Sequence, residues 1–262
     1  ASLHTLDLSY CSGVTDVSAL ANCANLHTLY LRYTVVTDVN VLAGCVSLHT
    51  LDLSGCNRVT DVSTLAGCEA LHTLGLRNCK SVTDVSALAA CPSLNTLHLS
   101  DSGVTDVRAL AACPSLQELY LSRTGVTDVS ALAGCISLQE LYLRDCIGVT
   151  DVSALAGCAS LHTLNLSGSG VTDVSALAGC VSLHKLDLSF CISVTDVSAL
   201  AGCASLHTLN LRYCSGVTEL GALAGCASLH TLDLSRCIGV ADVRALAGCV
   251  SLHKLDLSFC IS

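Results

Sequence analysis

Leucines recur along the chain in the order L-x-x-L-x-L, as at Leu3, Leu6 and Leu8, and the spacing returns every 22 or 23 residues. The first leucines of successive repeats are Leu3, Leu26, Leu48, Leu71, Leu94, Leu116, Leu138, Leu161, Leu183, Leu206, Leu229 and Leu252. Strand side chains alternate between faces, so Leu6 and Leu8 share one side and Asp7 lies on the other. The pattern predicts a short strand buried on one face. After it come Cys11, a turn with Gly13, and Asp16, placed to cap the free N–H groups of a helical turn over VSALA. Gly44, Gly67 and Gly134 are expected to close that turn. A fixed self-similar period of this length means stacked units, each burying its apolar face against its neighbours.

Strand, turn and short helix in 22 or 23 residues resembles the leucine-rich repeat family over the whole chain. The VTDVSALAG segment resembles the internalin-type bacterial repeat. Cysteine in the usual asparagine place resembles the cysteine-containing repeats of F-box proteins, and such cysteine-rich mixtures also resemble leucine-rich repeat proteins of kinetoplastid protists. The resemblance implies an α/β fold: a right-handed solenoid with a parallel sheet on the concave face and short α or 3-10 segments on the convex face. With the asparagine column missing, the turn after each strand must be satisfied in another way. One array over residues 1–262 is expected, without linkers and with both ends cut inside a repeat and uncapped. The segment VSLHKLDLSFCIS stands identically at 181–193 and 250–262, which suggests duplication and leaves a designed consensus protein open.

Nineteen cysteines fall into two columns. One follows the strand (Cys11, Cys56, Cys79, Cys146, Cys191, Cys214, Cys237, Cys260); the other precedes the next strand, from Cys23 to Cys249. In the four 22-residue repeats the first column holds Thr34, Ser102, Thr124 or Ser169 instead. A hydroxyl both donates and accepts, whereas a thiol bonds weakly and behaves as a small hydrophobe. The cysteine repeats are therefore expected to need their extra residue so that the backbone can satisfy itself. The odd count and strict columns favour buried free thiols in a reducing, cytoplasmic setting over disulfides at a cell surface. No metal or other cofactor is expected. In the Cys-x-x-x-His spacing of Cys23 and His27, the thiol should point inward and the imidazole outward.

Although 52% of residues are hydrophobic, no run approaches the ~20 needed to span a membrane, and membrane insertion is not expected. Eleven of the 21 acidic residues occupy the capping column, so the net charge of −9 belongs mostly to the scaffold. No basic stripe emerges, which argues against nucleic-acid binding. Nine of ten histidines also form a column, each just after the first leucine of a repeat; stacked imidazoles about 5 Å apart would repel once protonated.

The strand positions on the concave side remain free, and all eight aromatic residues are expected there. Tyr and Arg are enriched at binding hot spots. The middle repeats depart most from the common pattern, with Glu118, Tyr120, Arg123, Glu140, Tyr142, Arg144, Asp145, His98 and Asp101 expected to group around a tyrosine pair; Tyr30, Tyr33 and Tyr213 complete the candidate surface. Ser, His, Asp and Cys occur as copied columns rather than as one special constellation, so an enzyme is not expected. The sequon Asn165-Leu166-Ser167 lies in a strand and reads as accidental. The expected function is a protein-interaction scaffold. Its alternatives are a structural component joined end to end through its own copies, or a surface recognition module.

Overall fold

Strands form where the leucine triplets predict them. The computed structural model describes residues 2–260, in two units divided between Val126 and Thr127. The first carries β1 (Thr5–Asp7), β2 (Thr28–Tyr30), β3 (Thr50–Asp52), β4 (Thr73–Gly75), β5 (Thr96–His98) and β6 (Glu118–Tyr120). The second carries β7 (Glu140–Tyr142), β8 (Thr163–Asn165), β9 (Lys185–Asp187), β10 (Thr208–Asn210), β11 (Thr231–Asp233) and β12 (Lys254–Asp256). Within each unit the strands are parallel and lie in chain order. The register sets identical positions side by side: Leu29 pairs with Leu51, and Leu51 with Leu74. In the second unit Leu164 pairs with Leu186 in the same way. These leucines are almost completely buried, and the same face is core from β2 to β11, while Leu255 on β12 is exposed.

Each strand from β1 to β11 is followed by a five-residue 3-10 helix, such as Ser18–Asn22 or Ser153–Gly157, whose central leucine packs into the core in all but the last, Arg244–Gly248. Two bonds define it, from Leu20 N–H to the Val17 carbonyl and from Cys23 N–H to the Leu20 carbonyl, both 2.9 Å. So short a segment cannot recover the nucleation cost of an α-helix. The aspartate column acts at its entry. Asp16 accepts the N–H of Ser18, the first helical residue, at 2.7 Å, and the bond recurs at every other aspartate of the column. The expected glycine stop works differently. Gly44 is the last helical residue, and a side chain there would press on the Ala21 carbonyl of the repeat before, 2.5 Å away; the glycine permits close approach of backbones.

All nineteen cysteines are free thiols, eighteen of them buried. They are more than small hydrophobes, and this corrects the sequence expectation. Cys56 Sγ donates to the Leu31 carbonyl of the preceding repeat at 3.0 Å, and Cys79, Cys191, Cys214, Cys237 and Cys260 repeat that bond on Leu53, Leu166, Leu188, Leu211 and Leu234. The second column does the same over longer distances, as from Cys91 to Leu65 at 3.4 Å. Thiol donors thus stand where the family's asparagines are missing. In the 22-residue repeats Thr34 and Thr124 donate instead to their own Leu31 and Leu121 carbonyls. The 23-residue repeats add a bond from valine N–H to the cysteine carbonyl, as from Val59 to Cys56. In the shorter repeat with Ser102, Val104 N–H turns to the serine hydroxyl. The extra residue does give the backbone a bond of its own.

The residue two places after the last strand leucine takes a left-handed conformation in every repeat. Two of these positions are glycine, Gly55 and Gly168; the others are Tyr10, Tyr33, Asn78, Asp101, Arg123, Asp145, Phe190, Tyr213, Arg236 and Phe259, with φ between 53° and 63°. Five of the eight aromatic residues therefore sit in a turn and not, as expected, on the extended strand. The main chain imposes the turn: Tyr33 N–H still reaches the Ser54 carbonyl of the next repeat, at 2.9 Å. For L residues this geometry costs roughly 1–2 kcal/mol each.

Burial pushes the interior thiols up, Cys68 and Cys113 to about 11 and Cys79 and Cys180 to about 12. A thiol reagent at neutral pH should therefore label about one site, the exposed Cys11, in the native chain and all nineteen after denaturation. Several labelled sites in the native chain would contradict the buried columns. Acid should weaken the stack. Side-chain hydrogen bonds from Arg108 and Arg244 lead in lowering Asp106 and Asp242 to about 2, while the Ser18 and Ser153 N–H groups lead at Asp16 and Asp151. Folded-state values lie below those of the unfolded chain, so their stabilisation is complete above about pH 4 and disappears as pH falls toward 2. Urea midpoints followed by circular dichroism should fall steadily across that window.

Candidate functional site

On the strand face of the first unit, side chains between and after the last two leucines of each repeat meet their counterparts one strand away. His98 on β5 stacks on Tyr120 of β6, ring centroids 4.2 Å apart. The Tyr120 hydroxyl donates to the Glu118 carboxylate at 3.1 Å. Arg123 grips Asp101 with two hydrogen bonds of 2.6 and 2.8 Å, and Arg77 approaches the same carboxylate at 4.0 Å. Tyr30 and Tyr33 belong to a second cluster. The Arg32 guanidinium lies 5.2 Å from the Tyr30 ring centre and is paired with Asp52, while Tyr33 stacks on Tyr10 at 5.2 Å. These groups border an open groove of about 310 Å³ lined by Tyr10, Arg32, Tyr33, Asp52, Ser54, Arg77 and His98. Burial is the main cause holding the His98 imidazole below its ordinary value, with Asp52 and Glu118 pulling the other way.

In the second unit Tyr142 donates its hydroxyl to Glu140 at 2.8 Å, and Arg144 pairs with Asp145 at 3.3 Å. Tyr213 lies further along the same face in other company. It stacks on Phe190 at 4.6 Å, with the guanidiniums of Arg212 and Arg236 5.3 and 5.1 Å from its ring centre. Arg236 also lies 4.4 Å from the Phe259 centroid.

The histidine column stacks as its period predicts. Centroids lie 5.1 to 5.4 Å apart from His4 to His72 and 4.4 to 5.0 Å apart from His162 to His253. Nδ1–H of His4, His27, His49, His72 and His253 donates to the carbonyl two residues before it. Burial first, then the charges of His253 and His207, depress the His230 imidazole.

A family model described as leucine-rich repeats matches residues 24–67, 114–157 and 159–202, half of the chain. The chain belongs to the leucine-rich repeat family. A search of curated protein sequences found no match. Among solved structures, it is similar to an internalin of Listeria monocytogenes, inlF, with 25% identity and a TM-score of 0.80 over 93% of this chain and 71% of that one. Internalin C2 of the same organism gives 29% identity and 0.64 over 70% and 79%. The functional domain of InlJ, described as including a cysteine ladder, shares the fold at 18% identity and 0.70 over 99% and 64%. The parallel strands and 3-10 turns are those of a leucine-rich repeat solenoid.

The sequence reading missed Arg32, Arg77, Arg212 and Arg236. Three of them directly follow the last strand leucine, and aligning that column would have exposed them beside the aromatic position. The His98 environment can be checked by NMR titration. Its imidazole should titrate below the ordinary 6.5, and Glu118→Gln should lower it further, because a carboxylate that favours the charged ring is lost. A rise on Glu118→Gln would contradict the packing described.

Proposed function

We propose that this leucine-rich repeat chain is a non-enzymatic scaffold that binds a protein partner on its strand face. One observation carries the reading: ten of twelve left-handed turn positions hold residues other than glycine. Gly55 and Gly168 occupy the same turn, so the fold accepts the residue that would relieve the strain. Aromatic rings, guanidiniums and carboxylates stand there at a cost in stability, on an exposed edge where they contribute little to the core. Strain retained at surface positions is the mark of a working surface.

In the first unit the proposed contact residues are His98, Asp101, Glu118, Tyr120 and Arg123, with Tyr30 and Tyr33. In the second they are Glu140, Tyr142, Arg144, Asp145 and Tyr213. Relatives named as internalins support a recognition role, and the buried thiols suit a reducing setting.

Affinity capture with the intact chain, read by mass spectrometry, should return a specific protein. Tyr120→Ala should then weaken the captured interaction by about tenfold or more, with an unchanged melting curve, because truncating a central aromatic contact costs about 2 kcal/mol. Tyr142→Ala tests the second unit in the same way. Unchanged affinity in both variants would remove these residues from the site.

A further inference from the structure

Two arginines of the second unit differ from the ion-paired arginines elsewhere on the strand face, Arg144 among them. In the first unit, Arg32 is neutralised by Asp52 and Arg123 by Asp101. In the second, Arg212 and Arg236 form no ion pair among the described residues. Aromatic rings hold them instead, in a row that runs Phe190, Tyr213, Arg236, Phe259, with Arg212 also against Tyr213. All four members of that row occupy the left-handed turn, with φ of 61° to 63°.

The nearby carboxylates each accept a main-chain N–H and form no ion pair with either arginine among the described residues. Asp187, Asp233 and Asp256 accept the N–H groups of Ser189, Ser235 and Ser258 at 2.8 Å. Asp256 feels the Arg212 charge, yet no contact joins them. A guanidinium lying against a ring keeps its N–H edge free, and that edge matches a carboxylate with two parallel hydrogen bonds. An uncharged partner would bury two unpaired cations at high cost. Duplex nucleic acid would need many more cations than this row supplies.

We propose that the row formed by Phe190, Tyr213, Arg236 and Phe259, with Arg212 beside it, is a docking surface for an acidic peptide segment of a partner protein. Two carboxylates of the segment pair with Arg212 and Arg236, and the flanking rings cover its aliphatic stems. The proposal rests on the scaffold reading above and adds the chemistry of the partner to it.

The test uses the intact chain and a fluorescein-labelled peptide of alternating glutamate and alanine, followed by anisotropy. Binding should weaken as salt rises. The double variant Arg212→Gln with Arg236→Gln should bind at least about tenfold more weakly. Arg108→Gln with Arg244→Gln removes the same charge from the 3-10 helices and should bind within about twofold of the parent. Should the first double variant melt early, Arg236→Lys keeps the charge and loses the fork, and should still weaken binding several-fold. Absence of peptide binding, equal weakening in both double variants, or preference for a duplex oligonucleotide over the peptide would overturn the proposal. If a partner captured by the intact chain is held equally well by Arg212→Gln with Arg236→Gln, the acidic-segment proposal fails while the scaffold reading stands; capture of no partner sinks that reading itself.

Discussion

The stack depends on a hydrogen bond directed from the interior of one repeat to the interior of the repeat before it. The carbonyl of the leucine just after each strand faces the core and accepts the main-chain N–H three residues on, as Leu31 does from Thr34 and Leu188 from Cys191, with room for a second donor. Where the next repeat carries cysteine after its strand, the thiol adds a donor from across the repeat boundary, as Cys56 does for Leu31 and Cys214 for Leu188. A thiol is a weak donor, but it is compact and tolerates apolar neighbours, so the bond forms without opening the core to water. The register that aligns leucine with leucine also brings sulfur to carbonyl. Threonine reaches its own strand instead, and the repeat length shortens by one.

Surface chemistry is coupled to that interior by the turn after the strand. The turn keeps the main-chain ladder going for one more rung, and so forces a left-handed residue at a fixed place in each repeat. Because the rung is made by N–H and carbonyl alone, the side chain at that place is free of structural duty. The protein has filled the column with rings, guanidiniums and carboxylates whose neighbours lie one repeat away. Arg32, Arg123 and Arg144 meet anions, whereas Arg212 and Arg236 meet rings.

Strand positions, buried leucines, aspartate bonds at the helix entries and the histidine stack were all legible in the sequence, because each repeats at one period and identical residues must share one environment. Three things were not. The backbone sign at Tyr33 or Phe190 follows from the path of the chain, and no composition signal marks it when the residue is not glycine. The donor role of Cys56 depends on a carbonyl 25 residues earlier, a relation visible only once the repeats are stacked. The partition of arginines into paired and ring-held sets depends on which residue the next repeat offers, so Arg32 and Arg212 share a position and have different partners.

The thiol columns give the molecule a record of its own breathing. Raised well above neutrality by burial, a sulfur such as that of Cys180 is chemically silent while its repeat is closed. Once a repeat opens, the thiol regains ordinary reactivity, and any group added to it no longer fits between a leucine and the carbonyl that it served. Opening would then become irreversible one repeat at a time, and the stack would age from wherever it loosens first.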